Sequence, residues 1–122
     1  MNREIKFRGK NKFYDNWFYG YLTKEKDKYF ITKNSSEFYQ IDPKTIGQYT
    51  GLKDKHGEEL YEGDIFHLGD KNITYTVVYF GTAFIGKQND SSSYVGLEGW
   101  KDCIEKVGNI YETKEENVKT TD

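Results

Sequence analysis

The chain is poor in cysteine, proline and methionine, with one of each among its 122 residues. A single cysteine, Cys103, excludes a disulfide within the chain. Long apolar runs are also missing, because no segment approaches the ~18 apolar residues of a membrane helix and the first residues lack the apolar stretch of a signal peptide. We therefore expect a cytoplasmic protein with no membrane partner.

Residues that favour helices are scarce as well, with only five leucines, whereas the chain has 11 Tyr, 8 Phe and 2 Trp, which favour strands. Apolar runs recur every ~8–12 residues between turn-forming segments, a spacing typical of barrels and sandwiches. The sequence predicts a mainly β fold, a small barrel or sandwich with an SH3-like barrel element, an N-terminal β-hairpin and little helix. We expect one domain over residues 1–112 and a polar, disordered tail over residues 113–122.

The first strand of the predicted hairpin is rich in aromatic residues. Trp17, Tyr19 and Tyr21 alternate onto one face, and Phe18 and Leu22 onto the other. A sheet with one side in water would carry polar residues on one of these faces. We therefore expect one face to pack against another copy of the chain, in a closed homo-oligomer with Trp17 or Tyr19 near the interface.

Basic residues dominate the segment before this strand. Lys6 and Arg8 alternate with Ile5 and Phe7, which predicts a solvated basic face opposite two apolar side chains. Together with Lys10 and the neighbouring aromatic residues, this face could contact a single-stranded nucleic acid. Strong binders usually carry a large basic excess, and the net charge here is −2, so we favour a solvated face and keep nucleic-acid binding as the alternative.

The stretch from Gly81 to Lys87 matches the first seven positions of the phosphate-binding pattern G-x-x-x-x-G-K. The next position must be Ser or Thr to hold magnesium, and here it is Gln88. Phe84 and Ile85 suit a strand, and no helix pattern follows, so the strand–loop–helix context is missing. We reject a nucleotide site and expect no cofactor.

The remaining titratable residues have structural interpretations. Asp64 follows Gly63 and is expected to hold a turn by accepting backbone hydrogen bonds. His56 is predicted in a solvated loop, His67 on a strand surface and Cys103 as a buried, inert thiol, none with a partner at metal-ligand spacing. We expect no catalytic residue and no metal site, and therefore no enzymatic activity.

Residues 45–65 read TIGQYTGLKDKHGEELYEGDI, preceded by REIKFR at residues 3–8 and followed by IEKVGNIYE at residues 104–112. These three segments resemble the YopX family of phage and prophage proteins. Where family members often carry Asn-Pro-Glu-Leu, this chain has residues 113–116, Thr-Lys-Glu-Glu. The positions that carry the resemblance are Gln48, Thr50, Gly51, Leu52, Asp54, Gly57, Tyr61, Glu62, Gly63, Asp64, Gly108, Asn109 and Tyr111.

The resemblance implies a phage-encoded protein of a bacterial host cell, with a mainly β fold and a tendency to self-assemble, and it implies no activity. The motif consists of turn formers, hydrogen-bonding side chains and core residues, so we expect residues 50–64 to be ordered, with Gly57 or Gly63 at positive φ. We expect a non-enzymatic binding or assembly module, with itself and an unidentified host or phage protein as partners.

Overall fold

The computed structural model describes residues 4–34 and 36–112. Strands make up 56% of the structure and helices 6%, which confirms the predicted mainly β fold with little helix. The chain divides into two compact units, Met1–Gly51 and Leu52–Asp122, so the single domain over residues 1–112 stays a prediction. The predicted disordered tail, residues 113–122, lies outside the described residues.

The first unit is built from antiparallel strands in the order β4-β3-β2-β1-β5. A short 3₁₀ helix, Pro43–Thr45, precedes β5, which continues into the second unit. The strands are β1 (Phe7–Lys10), β2 (Trp17–Glu25), β3 (Lys28–Asn34), β4 (Glu37–Ile41) and β5 (Gly47–Lys53).

The predicted N-terminal hairpin is present as β2 and β3, joined by a two-residue turn at Lys26 and Asp27. The sheet curls, so that Ile41 at the end of β4 bridges to Asn11 just after β1. Ile31 and Ile41 are completely buried on the inner face of this sheet and form its apolar centre. The exposed aromatic residues of β2 therefore lie on the opposite, outer face.

The second unit contains an antiparallel sheet in the order β10-β9-β8-β7-β11. Within the described residues β10 and β11 are its two edges, so it is an open sheet and does not close as an SH3-like barrel would. Its elements are β6 (Glu59–Tyr61), β7 (Asp64–His67), β8 (Thr74–Phe80), β9 (Ala83–Gln88), β10 (Tyr94–Gly96), α1 (Leu97–Trp100) and β11 (Glu105–Asn109).

Five apolar side chains with at most 2% exposure form the core of the second unit. They come from β6, β7, β8, α1 and the residue before β11, namely Leu60, Phe66, Val77, Leu97 and Ile104. The two short helices serve as connections between strands. None of the helices found in the described residues has the length and hydrophobicity that a membrane span requires.

Candidate functional site

The family motif forms a polar lock in the second unit, centred on Asp54. Its Oδ1 accepts the backbone N–H groups of His56 and Glu58, both at 2.9 Å. Its Oδ2 accepts the N–H of Lys106 in β11 at 3.0 Å, and the residue is 6% exposed. Burial alone would raise the pKa of this carboxyl, but the hydrogen bonds from Lys106, Glu58 and His56 outweigh it and lower the pKa. The loop of residues 54–58 is thereby fastened to an edge strand.

Asp64 holds the next turn, as predicted from its position after Gly63. It is fully buried, and its Oδ2 accepts the N–H of Tyr61 at 2.7 Å. The Lys106 ammonium lies 3.5 Å from the same oxygen and donates to the carbonyl of Glu59 at 2.8 Å. Its hydrogen bond to Tyr61 and its pairing with Lys106 hold the Asp64 carboxylate within the β6–β7 turn.

Both candidate glycines of this segment have positive φ, +84° at Gly57 and +96° at Gly63, which confirms the expectation. Gly63 also donates to the carbonyl of Val77 and accepts from Ile110. The closing motif is similarly structural, because Asn109 accepts the N–H of Tyr111 at 2.9 Å. These contacts place the motif residues in turns and strand ends.

The remaining motif positions are distributed along these strands and turns. Gln48 pairs with Phe7 between β5 and β1, and Thr50 is buried at 5% exposure. Gly51 has a φ of +91°, and Leu52 packs against the core of the second unit. Tyr61 is 1% exposed, and its hydroxyl donates a hydrogen bond to the Glu59 carboxylate at 2.9 Å. Gly108 lies at an irregularity in the pairing of β11 with β7. Glu62 lies in the β6–β7 turn.

A second polar cluster surrounds Glu105 at the start of β11. Lys55 lies 3.4 Å from its Oε1, and the Nε2 atoms of His56 and His67 lie 3.7 Å from its two oxygens. The hydrogen bond from Lys55 lowers the pKa of Glu105, with smaller contributions from the charges of His67 and His56, while burial opposes them. Glu105 therefore stays ionised and balances the basic side chains around it.

The prediction that His67 lies on the strand surface is wrong, because the residue is 3% exposed. Its Nδ1 accepts the N–H of Gly69 at 3.0 Å, which places the proton of the neutral ring on Nε2, facing Glu105. A metal bound at Nε2 would need that lone pair and would force a proton onto Nδ1, against the Gly69 N–H. In line with this, the described residues contain no group of three His, Cys, Asp or Glu arranged to hold a metal ion.

Two other sequence interpretations have clear outcomes. Cys103 is exposed in the turn after α1 and not buried, because the core position there is taken by Ile104.

The segment from Gly81 to Lys87 forms the turn between β8 and β9 and then β9 itself. A strand–turn–strand arrangement lacks the helix N-terminus that cradles phosphate in a nucleotide site.

The prediction of a solvated basic face at β1 is wrong, because its cations are largely covered. Arg8 is 3% exposed, with its guanidinium 4.6 Å from the ring centre of Trp17, whereas Ile5 is 60% exposed. Lys6 and Lys10 lie over the rings of Tyr49 and Trp17, and their side chains are 20% and 15% exposed. The predicted basic face is therefore not solvated, because aromatic rings cover its cations, and Arg8 lies opposite Tyr19 on the outer side of the sheet.

The outer side of the hairpin carries what we call the aromatic face. The cross-strand row Tyr21–Thr32–Phe38 runs over β2, β3 and β4, with Tyr21 65% and Phe38 55% exposed. Tyr19, two residues before Tyr21, is 44% exposed, whereas Trp17 is half-buried. The centre of the face consists of Tyr19, Tyr21, Thr23, Phe30, Thr32, Phe38 and Gln40. The same alternation places the exposed pair Glu25–Lys28 at its hairpin end and the buried Arg8 opposite Tyr19.

Comparison with known families agrees with the motif. The model of the YopX protein family matches residues 2–115. The chain belongs to the YopX family. No curated protein matches it. The YopX match covers both units, so the polar lock and the aromatic face both lie within the family region.

Sequence reasoning missed two kinds of residue in this YopX protein. Phe38 was overlooked because no strand was predicted around it, although Phe38-Tyr39-Gln40-Ile41 has a β-favouring composition. Lys106 lies inside the recognised closing motif, but its contacts with Asp54 and Asp64 join segments far apart in sequence.

Proposed function

We propose that this YopX protein is a non-enzymatic assembly module of the bacterial host cytoplasm, which associates with a second copy of itself through the aromatic face. The observation that carries the proposal is the row Tyr21–Thr32–Phe38, whose two rings are more than half exposed on a sheet face. While these rings are in contact with water, the protein does not gain the free energy of burying them, about 25 cal/mol per Å². Packing against a partner surface would provide this free energy.

The composition of the face favours a second copy as that partner. The seven residues at its centre are uncharged, whereas charged residues account for 31% of the chain, and the charges of Glu25 and Lys28 lie at its hairpin end. Interface centres are depleted of charge and enriched in Tyr and Phe. An uncharged aromatic centre is matched best by another uncharged aromatic surface, and a second copy of the chain carries one. A two-fold axis through the face would close the assembly, with a buried area above ~1,000 Å² expected for a stable dimer.

The non-enzymatic part of the proposal is supported by how the polar side chains are used. Both ring nitrogens of His67 are engaged, Nδ1 by Gly69 and Nε2 towards Glu105. The Asp54 carboxylate is occupied by three backbone N–H groups. A general base needs a lone pair that can accept a proton from a substrate, whereas His67 Nδ1 and the Asp54 carboxylate accept hydrogen bonds from backbone N–H groups of the protein itself.

Single-stranded nucleic acid is the second candidate partner, because exposed rings on a sheet face also stack on bases. Tyr21 and Phe38 have the required exposure. Nucleic-acid affinity also depends on cations that reach the phosphates, however, and Lys6, Arg8 and Lys10 are 20%, 3% and 15% exposed. The three cations predicted to contact nucleic acid are therefore poorly accessible.

The test is the molar mass in solution, measured by light scattering and sedimentation at micromolar concentrations. The variant Tyr21→Ser/Phe38→Ser should lose the association through the aromatic face and show a lower mass than wild type, while Phe13→Ser, a control at a 70% exposed loop position away from the face, should keep the wild-type mass. A wild-type chain at the single-chain mass of 14.4 kDa would refute the proposal, as would a double variant with unchanged mass. A shift of labelled single-stranded DNA at low salt, abolished by the double variant, would support the nucleic-acid alternative instead.

A further inference from the structure

The sheet of the second unit has one edge whose backbone groups face outward. Gln88 donates its N–H to the carbonyl of Ser93 at 2.8 Å, so these two residues form a hydrogen-bonded pair where β9 and β10 meet. This pair determines which of the following residue pairs are hydrogen-bonded. Antiparallel pairs alternate between bonded and non-bonded, so Val95 bonds to Gly86. Tyr94 and Gly96 then direct their backbone groups away from β9, towards the open side of the sheet.

The other edge of the same sheet is covered. The N–H of Lys106 in β11 is accepted by Asp54, and the carbonyl of Ile104 accepts the N–H of Lys55. A side chain and a loop therefore occupy the bonding groups that a further strand would use. Proteins commonly protect sheet edges against pairing in such ways. The edge at β10 has no such cover from residues 4–34 and 36–112, so it is available for pairing.

The side chains of β10 complement their own reversed copy. Gly96 has open space where a Cβ would stand, with no atom within 4 Å of it. Two residues earlier, Tyr94 is 47% exposed and stacks on Phe80 at a ring distance of 5.5 Å, and Phe80 is itself 63% exposed. In an antiparallel pair of β10 strands centred on Val95, Tyr94 of each copy lies directly opposite Gly96 of the other.

We infer that β10 pairs with β10 of a second copy, which gives the protein a second self-association surface besides the aromatic face. The Gly96 N–H of each copy bonds to the Tyr94 carbonyl of the other, and each Tyr94 ring fills the space above the facing Gly96. Cross-strand aromatic cover of a glycine is a stabilising pair in sheets. This inference rests on the proposed self-assembly and adds the contact that lets the assembly grow beyond two copies.

The chain offers a matched pair of variants for the test. Gly96 has φ −78° and ψ 139°, a conformation that proline adopts, and the preceding Val95 is in a strand as proline requires. Gly96→Pro therefore removes the outward N–H and keeps the fold, while Gly96→Ala keeps the N–H in the same open space. Tyr94→Ser is a second, independent variant, which removes the ring and leaves the backbone unchanged.

The molar mass of each variant distinguishes the two surfaces. We expect the wild type to exceed two copies, Gly96→Pro and Tyr94→Ser to remain dimers through the aromatic face, and Gly96→Ala, which keeps the N–H, to self-associate more than Gly96→Pro. Tyr21→Ser/Phe38→Ser should leave a dimer through β10, and combination with Gly96→Pro should leave a monomer. Unchanged mass in both Gly96→Pro and Tyr94→Ser would overturn the β10 inference and leave the proposed function standing.

A residue-resolved measurement gives the same inference a direct readout. Amide hydrogen exchange at Tyr94 and Gly96 should slow as the protein concentration rises, since these groups become paired only in the assembly. Exchange at Val95, which is bonded within the chain, should serve as the internal reference. Exchange at Tyr94 and Gly96 that does not depend on concentration would contradict the pairing.

Discussion

Lys106 donates its backbone N–H to the Asp54 carboxylate at 3.0 Å, across 52 positions of sequence. The same carboxylate caps its own loop through His56 and Glu58. One side chain thus organises the turn and covers the edge of β11.

Removal of this carboxylate should be costly. We expect Asp54→Ala to lower the free energy of unfolding by about 2–4 kcal/mol, because three backbone N–H groups lose a charged acceptor. Asp70→Ala is the matched control, since Asp70 is exposed and its side chain accepts only the N–H of Asn72 among the bonds seen in the described residues. Its effect should stay within about 0.5 kcal/mol in urea denaturation. Equal effects of the two substitutions would contradict a special role for Asp54.

Stability should also fall in acid through two carboxyls. The pKa values of Asp54 and Glu105 are lowered in the folded state, so each contributes stability above its unfolded pKa of about 4 and loses it as the pH falls through the folded value. Glu105 is one-third exposed, so Asp54 should dominate. Urea melts from about pH 7 to about pH 3 should show a shallower acid decline in Asp54→Asn than in wild type. A parallel decline would argue against this linkage.

Backbone conformation alone should make Gly57 sensitive to substitution. Neither Gly57 nor Gly99 has an atom within 4 Å of a Cβ, but only Gly57 has a positive φ, of +84°. Gly57→Ala should therefore cost about 1 kcal/mol or more, since left-handed backbone is unfavourable for residues with a Cβ. Gly99→Ala, in a helix, should be neutral or stabilising. Denaturant melts of both variants decide the matter, and equal midpoints would refute the strain argument.

The β2–β3 turn offers a stabilising substitution. Lys26 has a φ of +59° and is the one non-glycine residue with positive φ among residues 4–34 and 36–112. Lys26→Gly should raise the free energy of unfolding by about 0.5–1 kcal/mol, because the strain relieved exceeds the added entropy of the unfolded chain. Asp27→Gly, at the next position, where φ is negative, gains only that entropy and should destabilise. Thermal melts that rank the two variants in the reverse order would be inconsistent with a strained turn.

The sequence predicted the strands where local composition was decisive. Residues 73–80 are almost all β-branched or aromatic, and β8 follows them closely. The burial of the basic side chains of β1 was not predictable in the same way. Alternation of Ile5 and Phe7 with Lys6 and Arg8 defines two faces, but the burial of Arg8 depends on Trp17, whose ring covers the guanidinium.

In the candidate site, too, local contacts could be predicted from the sequence and long-range contacts could not. The turn formed by Gly63 and Asp64 could be predicted because its hydrogen bonds are local. The burial of His67 could not, because it depends on Glu105, which reaches it only after β11 has paired with β7. The aromatic face was half predicted, with Tyr19 and Tyr21 anticipated and Phe38 supplied by the unforeseen strand β4.

The covering of β11 by Asp54 also has a consequence for synthesis on the ribosome. The loop that carries Asp54 emerges long before Ile104 and Lys106, so its hydrogen-bonding partners do not yet exist when it leaves the exit tunnel. Until β11 follows, β7 lacks its outer neighbour and the core lacks Ile104. The second unit therefore completes its folding late in translation, whereas the hairpin of β2 and β3 has all its pairing residues from the start.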